Sequence, residues 1–125
     1  MSIKLPHILY VEDEAINALI MKKILPKTYA LSIAHDTLSA LKILETAPIC
    51  LILMDINLGN HEEEGVQLMQ TIRQNPSWQK LPMLALTSYT EPAHKERFLS
   101  LGFEGYLTKP VVLEELVHQF QRLLV

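Results

Sequence analysis

The sequence has a single cysteine and no long apolar run. Because Cys50 has no partner, no disulfide can form within the chain, and we expect this residue to be buried at the start of a strand in a reducing compartment. The longest apolar run, residues 49–54, is far too short to cross a bilayer. Residues 1–6 are short and polar, unlike a signal peptide. These features predict a cytoplasmic protein that does not enter a membrane.

Cationic residues and glycines are also scarce. The chain has 11 Lys and Arg against 14 Asp and Glu, so the net charge is −3 and no basic stripe is available for direct binding to nucleic acid. It has 4 glycines, none of them in residues 11–15, where the first predicted strand ends and its loop begins. Phosphate-binding loops at this place in α/β folds are rich in glycine. The sequence therefore argues against a nucleotide or flavin site.

Strand and helix patterns alternate five times along the chain. Short apolar segments predict strands at residues 8–11, 29–34, 50–55, 83–86 and 106–107. Helical spacing of apolar residues follows each strand; in the first helix they are Ile16, Leu19, Ile20 and Ile24. The alternation predicts an α/β fold with a doubly wound, five-stranded parallel sheet and helices on both faces. The 125 residues leave room for one core, so we expect a single domain, residues 1–125.

Polar residues stand where these strands end. Glu12 and Asp13 follow the first strand, Asp55 ends the third, and Thr87 and Lys109 follow the fourth and fifth. They should converge, because the carboxyl ends of parallel strands share one edge of the sheet. The three carboxylates carry −3 and the lysine +1, which leaves −2, and an all-oxygen donor set of this charge favours Mg²⁺. An ionised Asp55 in such a site could attack phosphorus, with Thr87 and Lys109 holding the phosphoryl oxygens.

Four sequence motifs at the strand ends carry a family resemblance. They are Val11-Glu12-Asp13, Leu53-Met54-Asp55-Ile56-Asn57, Leu86-Thr87-Ser88 and Tyr106-Leu107-Thr108-Lys109-Pro110. In this order they resemble the response-regulator receiver domain, the CheY-like family of two-component signalling. The resemblance covers essentially the whole chain and implies a flavodoxin-like strand order, 2-1-3-4-5. It also implies a phosphorylation-activated switch rather than an enzyme, a protein that catalyses only its own aspartyl phosphorylation and dephosphorylation.

The same resemblance implies the chemistry of the site. Asp55 would accept a phosphoryl group from a sensor histidine kinase or a histidine phosphotransfer protein. The metal would be Mg²⁺, held by Glu12, Asp13, Asp55 and the backbone carbonyl of Asn57.

Three more features follow from the resemblance. Thr87 and Lys109 would contact the phosphoryl group, and Tyr106 would be the aromatic switch residue. The bond between Lys109 and Pro110 would be cis, as a proline permits. The signal would pass to an unidentified output protein through the face formed by the fourth helix, the fifth strand and the fifth helix.

The loop after Asp55 departs from the family pattern. Gly59 stands where the family often has proline, and Gly65 comes about two residues later than expected at the start of the third helix. We therefore expect Glu62, Glu63 and Glu64 to form a longer, solvated acidic loop beside the site.

Two alternatives from other classes are weighed against the switch. A metal-dependent phosphatase with an aspartate nucleophile would need a second Asp two residues after the first, where this chain has Asn57, which cannot donate a proton. A receiver-like interaction scaffold that is never phosphorylated is the other alternative. It is disfavoured because every expected site residue is present.

Overall fold

The computed structural model describes residues 5–56, 62–88 and 90–124. Five strands and five helices alternate within these residues. The strands are β1 (His7–Val11), β2 (Ala30–Ala34), β3 (Leu51–Ile56), β4 (Met83–Thr87) and β5 (Gly105–Thr108). The helices are α1 (Ala15–Ile24), α2 (Thr37–Thr46), α3 (Glu62–Gln74), α4 (Pro92–Leu101) and α5 (Leu113–Leu123). The strands form one parallel sheet in the order β2-β1-β3-β4-β5, which confirms the predicted fold class and strand order.

The sheet separates two apolar cores. On one face, Met54 of β3 packs with α2, α3 and α4 in a cluster that includes Met69 and Phe98. On the other face, Leu53 packs with α1 and α5 in a cluster that includes Met21 and Phe120. Because successive strand residues point to opposite faces, every residue of β3 is buried, as predicted for a central strand.

The same alternation determines to which face of the sheet the polar residues at its edge point. Asp55 lies two residues after Leu53, and Glu12 lies two residues after Tyr10, so both carboxylates continue the face that is covered by α1 and α5. Asp36 caps the start of α2. Asp36 accepts a hydrogen bond from the backbone N–H of Ser39 at 2.8 Å.

Two expectations about local structure are wrong. Cys50 is exposed and precedes β3, because the strand begins and ends one residue later than the apolar run suggests. The helix predicted from the spacing of apolar residues is present as α1, but Ile16, Leu19 and Ile20 are 72%, 52% and 50% exposed, and its buried stripe consists of Ala18 and Met21.

The acidic segment after Asp55 also differs from its expectation. Glu62, Glu63 and Glu64 are the first residues of α3 rather than part of a loop. Glutamates are good helix formers, and negative charge in a first turn is favoured by the helix dipole. Gly65 therefore lies inside α3, where a Cβ atom would lie 3.5 Å from Cγ1 of Ile56, so the helix approaches β3 closely.

No helix within residues 5–56, 62–88 and 90–124 has the length and apolar character needed to cross a membrane.

Candidate functional site

The structure brings the predicted carboxylates together at the carboxyl edge of the sheet. Glu12, Asp13 and Asp55 each place one oxygen within 4.8 Å of the others. Glu12 and Asp55 are buried, whereas Asp13 is exposed. A cleft of about 50 Å³ lies beside them, which is more than the volume of one water molecule. The predicted convergence of Glu12, Asp13 and Asp55 is therefore present in the fold.

Asp55 occupies the centre of this group. Its Oδ1 atom lies 2.6 Å from Nζ of Lys109, at the end of β5. Its Oδ2 atom is buried and accepts no hydrogen bond from any residue that the structure describes. A buried carboxylate oxygen without a donor is costly, and a bound cation or an incoming electrophile relieves that cost. Hard oxygen donors around such an atom fit a divalent cation such as Mg²⁺.

Glu12 is held in a different way. The hydroxyl of Tyr10 donates to Oε2 of Glu12 at 2.8 Å, and the backbone N–H of Glu14 donates to Oε1 at 3.0 Å. On the backbone, Glu12 N–H donates to the carbonyl of Ala34 at 2.9 Å, and Nδ1 of His35 lies 3.1 Å from the carbonyl oxygen of Glu12. These contacts hold the carboxylate and its backbone in one position.

The pKa values of the two buried carboxyls are shifted in opposite directions. Burial raises the pKa of Asp55 to about 8, Glu12 acts in the same direction, and Lys109 offsets them only in part. Burial would also raise the pKa of Glu12, but the nearby Asp55 carboxyl and the hydrogen bonds from the Glu14 N–H and Tyr10 outweigh it and leave that pKa lowered. In the metal-free chain, Asp55 is therefore the harder of the two carboxyls to ionise.

The remaining predicted site residues lie on β4 and β5. Thr87, at the end of β4, is fully buried, and its carbonyl accepts a hydrogen bond from the backbone N–H of Lys109 at 2.8 Å. Tyr106 is half-buried and stacks on Phe98 of α4, with ring centroids 5.9 Å apart. The bond between Lys109 and Pro110 is cis, as the resemblance implied. Asn57, whose carbonyl was predicted to bind the metal, lies outside the described residues.

Sequence reasoning missed the residues that surround Glu12. Tyr10 falls within the strand predicted at residues 8–11, with no further role predicted for it, and no role is predicted for His35. A signal for Tyr10 was available, because two residues along a strand return to the same face and a phenol there can reach the carboxylate. His35 gives no such signal, since its contact depends on how β2 pairs with β1.

Comparisons with known proteins agree with this geometry. The family model described as the response regulator receiver domain matches residues 8–121. The sensor histidine kinase GacS of Pseudomonas protegens is 32% identical over 115 residues, which are 89% of this chain and 12% of the kinase. Two further curated relatives are matched over 6% and 25% of their lengths, so the chain spans only a small part of these proteins.

Solved structures extend the similarity to the whole fold. The chemotaxis response regulator CheY4 of Vibrio cholerae superposes with a TM-score of 0.83 and 26% identity, covering 97% of this chain and 100% of that one. The receiver domain of sensor histidine kinase PA1611 from Pseudomonas aeruginosa has a TM-score of 0.81 and 28% identity, with coverage of 97% and 98%. That structure has a magnesium ion coordinated in its active-site cleft. The chain therefore belongs to the response-regulator receiver family, whose members are phosphorylation-activated switches of two-component signalling.

Proposed function

We propose that Asp55 is the phosphoacceptor of this receiver and that Mg²⁺ is its cofactor. One observation carries the proposal: Asp55 is a buried strand-end carboxylate with one oxygen against Lys109 and the other without a donor among the described residues. Glu12 and Asp13 supply the other side-chain ligands, at the separation given above. The backbone carbonyl of Asn57 completes the protein ligands by family resemblance.

The transfer itself needs few protein groups. A carboxylate oxygen of Asp55 attacks the phosphorus of a phosphohistidine, the new O–P bond forms as the N–P bond breaks, and the imidazole leaves with the electron pair. The ammonium of Lys109 neutralises charge on the phosphoryl oxygens, and the hydroxyl of Thr87 donates a hydrogen bond to one of them. When bound, the cation supplies further charge neutralisation on these oxygens. We expect no catalysis beyond this self-phosphorylation and the later hydrolysis.

The partners follow from the same chemistry. The donor is a sensor histidine kinase or a histidine phosphotransfer protein, which fits the presence of sensor kinases among the relatives. The output is a protein bound through α4, β5 and α5, where Tyr106 is the proposed switch residue beside α4. A single receiver domain over residues 1–125 and a cytoplasmic location remain predictions from the sequence.

A small phosphodonor tests the proposal directly. Acetyl phosphate with Mg²⁺ should add one phosphate to the wild type, measured as intact mass, and none when the metal is chelated. Asp55→Asn should abolish the adduct. Glu45→Gln is a matched control, because Glu45 is an exposed carboxylate of α2 that does not line the cleft. An unchanged adduct on Asp55→Asn would refute the assignment, and steady turnover of a phosphate ester would favour the phosphatase alternative.

A further inference from the structure

Tyr10 stands directly behind the acidic site on the same face of the sheet. It is 2% exposed, and the clusters place it in the apolar core under α1 and α5. Its ring packs in that core, while its hydroxyl reaches the edge of the sheet and donates to Oε2 of Glu12 at 2.8 Å. The apolar ring of Tyr10 thus lies in the core, while its polar hydroxyl serves as a hydrogen-bond donor at the site.

The two buried carboxylates differ in how much of their hydrogen-bonding capacity the chain fills. Each oxygen of Glu12 receives one donor, from Tyr10 on one side and from the Glu14 N–H on the other. An ionised carboxylate has about four lone-pair positions, so Glu12 keeps a second position on each oxygen for a ligand. Oδ2 of Asp55 receives none from the described residues. Glu12 is therefore fixed in place, and Asp55 is left open for chemistry.

Packing alone does not account for the hydroxyl. A phenylalanine at this position would fill the same apolar space among residues such as Leu53 and Leu86, and it would bury no polar atom. The hydroxyl adds a hydrogen-bond donor to Glu12, whose carboxylate must be ionised and correctly oriented to bind a cation. Groups that hydrogen-bond to a metal ligand set its orientation, and their loss commonly weakens metal binding about 10- to 100-fold.

We propose that Tyr10 is a positioning residue of the cation site, which fixes the Glu12 carboxylate through its hydroxyl and thereby tightens the binding of Mg²⁺. The inference rests on the proposed function, because it takes Glu12 as part of that site. Tyr10 acts through Glu12 and does not itself contact the metal or the phosphoryl group.

Calorimetric titration with Mg²⁺ alone tests this role. Tyr10→Phe should raise the dissociation constant by about 10-fold. At saturating Mg²⁺, the rate of phosphorylation by acetyl phosphate should return to within about 2-fold of wild type, because the reacting groups are unchanged. Tyr29→Phe removes the same hydroxyl at the opposite end of the sheet, before β2, and should leave the dissociation constant unchanged.

A double-mutant cycle distinguishes positioning from a structural effect. If Tyr10 acts through Glu12, Tyr10→Phe should cause no further loss of Mg²⁺ affinity in a Glu12→Gln background. Equal affinity of wild type and Tyr10→Phe would overturn the inference, as would a lower melting temperature with unchanged affinity. If the wild type itself fails to bind Mg²⁺, the proposed function fails and this inference fails with it. If the wild type binds Mg²⁺ and Tyr10→Phe binds it equally well, only the inference about Tyr10 fails, and the proposed function stands.

Discussion

Nζ of Lys109 lies 2.6 Å from Oδ1 of Asp55, yet the pKa of that aspartate is raised rather than lowered. Burial is the largest cause, and Glu12 adds to it, so together they exceed the attraction of the lysine. The site is therefore costly to charge while it holds no cation. Because the pKa of Asp55 differs between the folded and the unfolded chain, the free energy of unfolding should depend on pH.

We predict that Asp55→Asn stabilises the metal-free protein, and more so at high pH. The folded pKa of about 8 exceeds the ordinary value of 3.8, so the folded state keeps a proton that the unfolded state has lost between these limits. Stability from this group is then lost as the pH rises from about 4 to about 8. We expect an increase of about 1–3 kcal/mol in the free energy of unfolding at pH 8, measured by urea denaturation in EDTA.

The pKa of Glu12 is shifted in the opposite direction, so its contribution to stability should change with pH in the opposite sense. Its pKa is lowered from the ordinary value of 4.5, so its contribution to stability is present above that pH and is lost as the pH falls below it. The contribution of Glu12 to stability therefore changes at a lower pH than that of Asp55. A stability difference between wild type and Asp55→Asn that does not grow between pH 5 and pH 8 would contradict the raised pKa of Asp55.

We further predict that Mg²⁺ displaces a proton from Asp55. Because metal ligands must be deprotonated, binding below pH 8 should release about one proton, and binding above pH 9 should release much less. Calorimetry in buffers of different ionisation enthalpy counts the protons released. Asp55→Asn should remove the release whether or not it still binds the ion. The same small release at pH 6.5 and pH 9 would show that another group controls binding.

The order of elements and the sheet could be predicted because each depends on local sequence. β3 is visible in the sequence as a continuous apolar run, and residues 51–54 of that run are buried as expected. The face of α1 could not be predicted, since this helix carries two apolar stripes. Ala18 and Met21 form the stripe that meets the sheet, whereas Ile16 and Ile20 point outward. Only the packing of the helix on β1 and β3 selects one stripe over the other.

The carboxylates of the site were predictable for a similar reason. In a parallel sheet, a residue at a strand end is placed by topology alone, so Asp55 and Glu12 could be brought together without coordinates. The contact of His35 with the carbonyl of Glu12 could not, because it depends on the register between β1 and β2. Cys50 was placed wrongly because a one-residue shift at a strand end separates a buried position from an exposed one.

Arg73, at the end of α3, is predicted to be a major contributor to stability away from the site. Its guanidinium donates to the carbonyls of Gln79, Leu81 and Gly102 at 2.9, 2.6 and 2.9 Å, and it forms an ion pair with Glu104. Loss of three charge-assisted hydrogen bonds to carbonyls, of which the one to Leu81 is partly buried, should cost about 2–3 kcal/mol in Arg73→Met. Urea denaturation of the purified variant gives the value.

Glu104 offers a matched comparison. Its side chain is 33% exposed, so Glu104→Gln should cost only about 0.5–1 kcal/mol. In the double variant, the coupling between the two residues should be about 1 kcal/mol or less, because most of the arginine's bonds go to backbone carbonyls. A cost for Arg73→Met no larger than that for Glu104→Gln would show that the carbonyl contacts contribute little.

The last prediction concerns the path from Asp55 to the output face. A phosphoryl group adds about −1.5 to −2 charge and three acceptor oxygens, and the Thr87 hydroxyl, one strand away, is expected to turn toward them. That movement would open space beside β5, where Tyr106 stacks half-buried on Phe98, and the phenol ring is expected to move inward. Phosphorylation then shifts an existing equilibrium, by no more than the difference in affinity between the two states.

Thr87→Ala should therefore still accept phosphate on Asp55 but lose most of the response at the output face. The measurement is the change in NMR amide shifts of residues 90–110 on addition of beryllofluoride, a phosphoryl mimic. Thr87→Ser keeps the hydroxyl and should retain the response, which separates the loss of the donor from the loss of a buried methyl group. A full response in Thr87→Ala would break the link between hydroxyl and ring, because the ring would then move without the hydrogen bond that is meant to draw it inward.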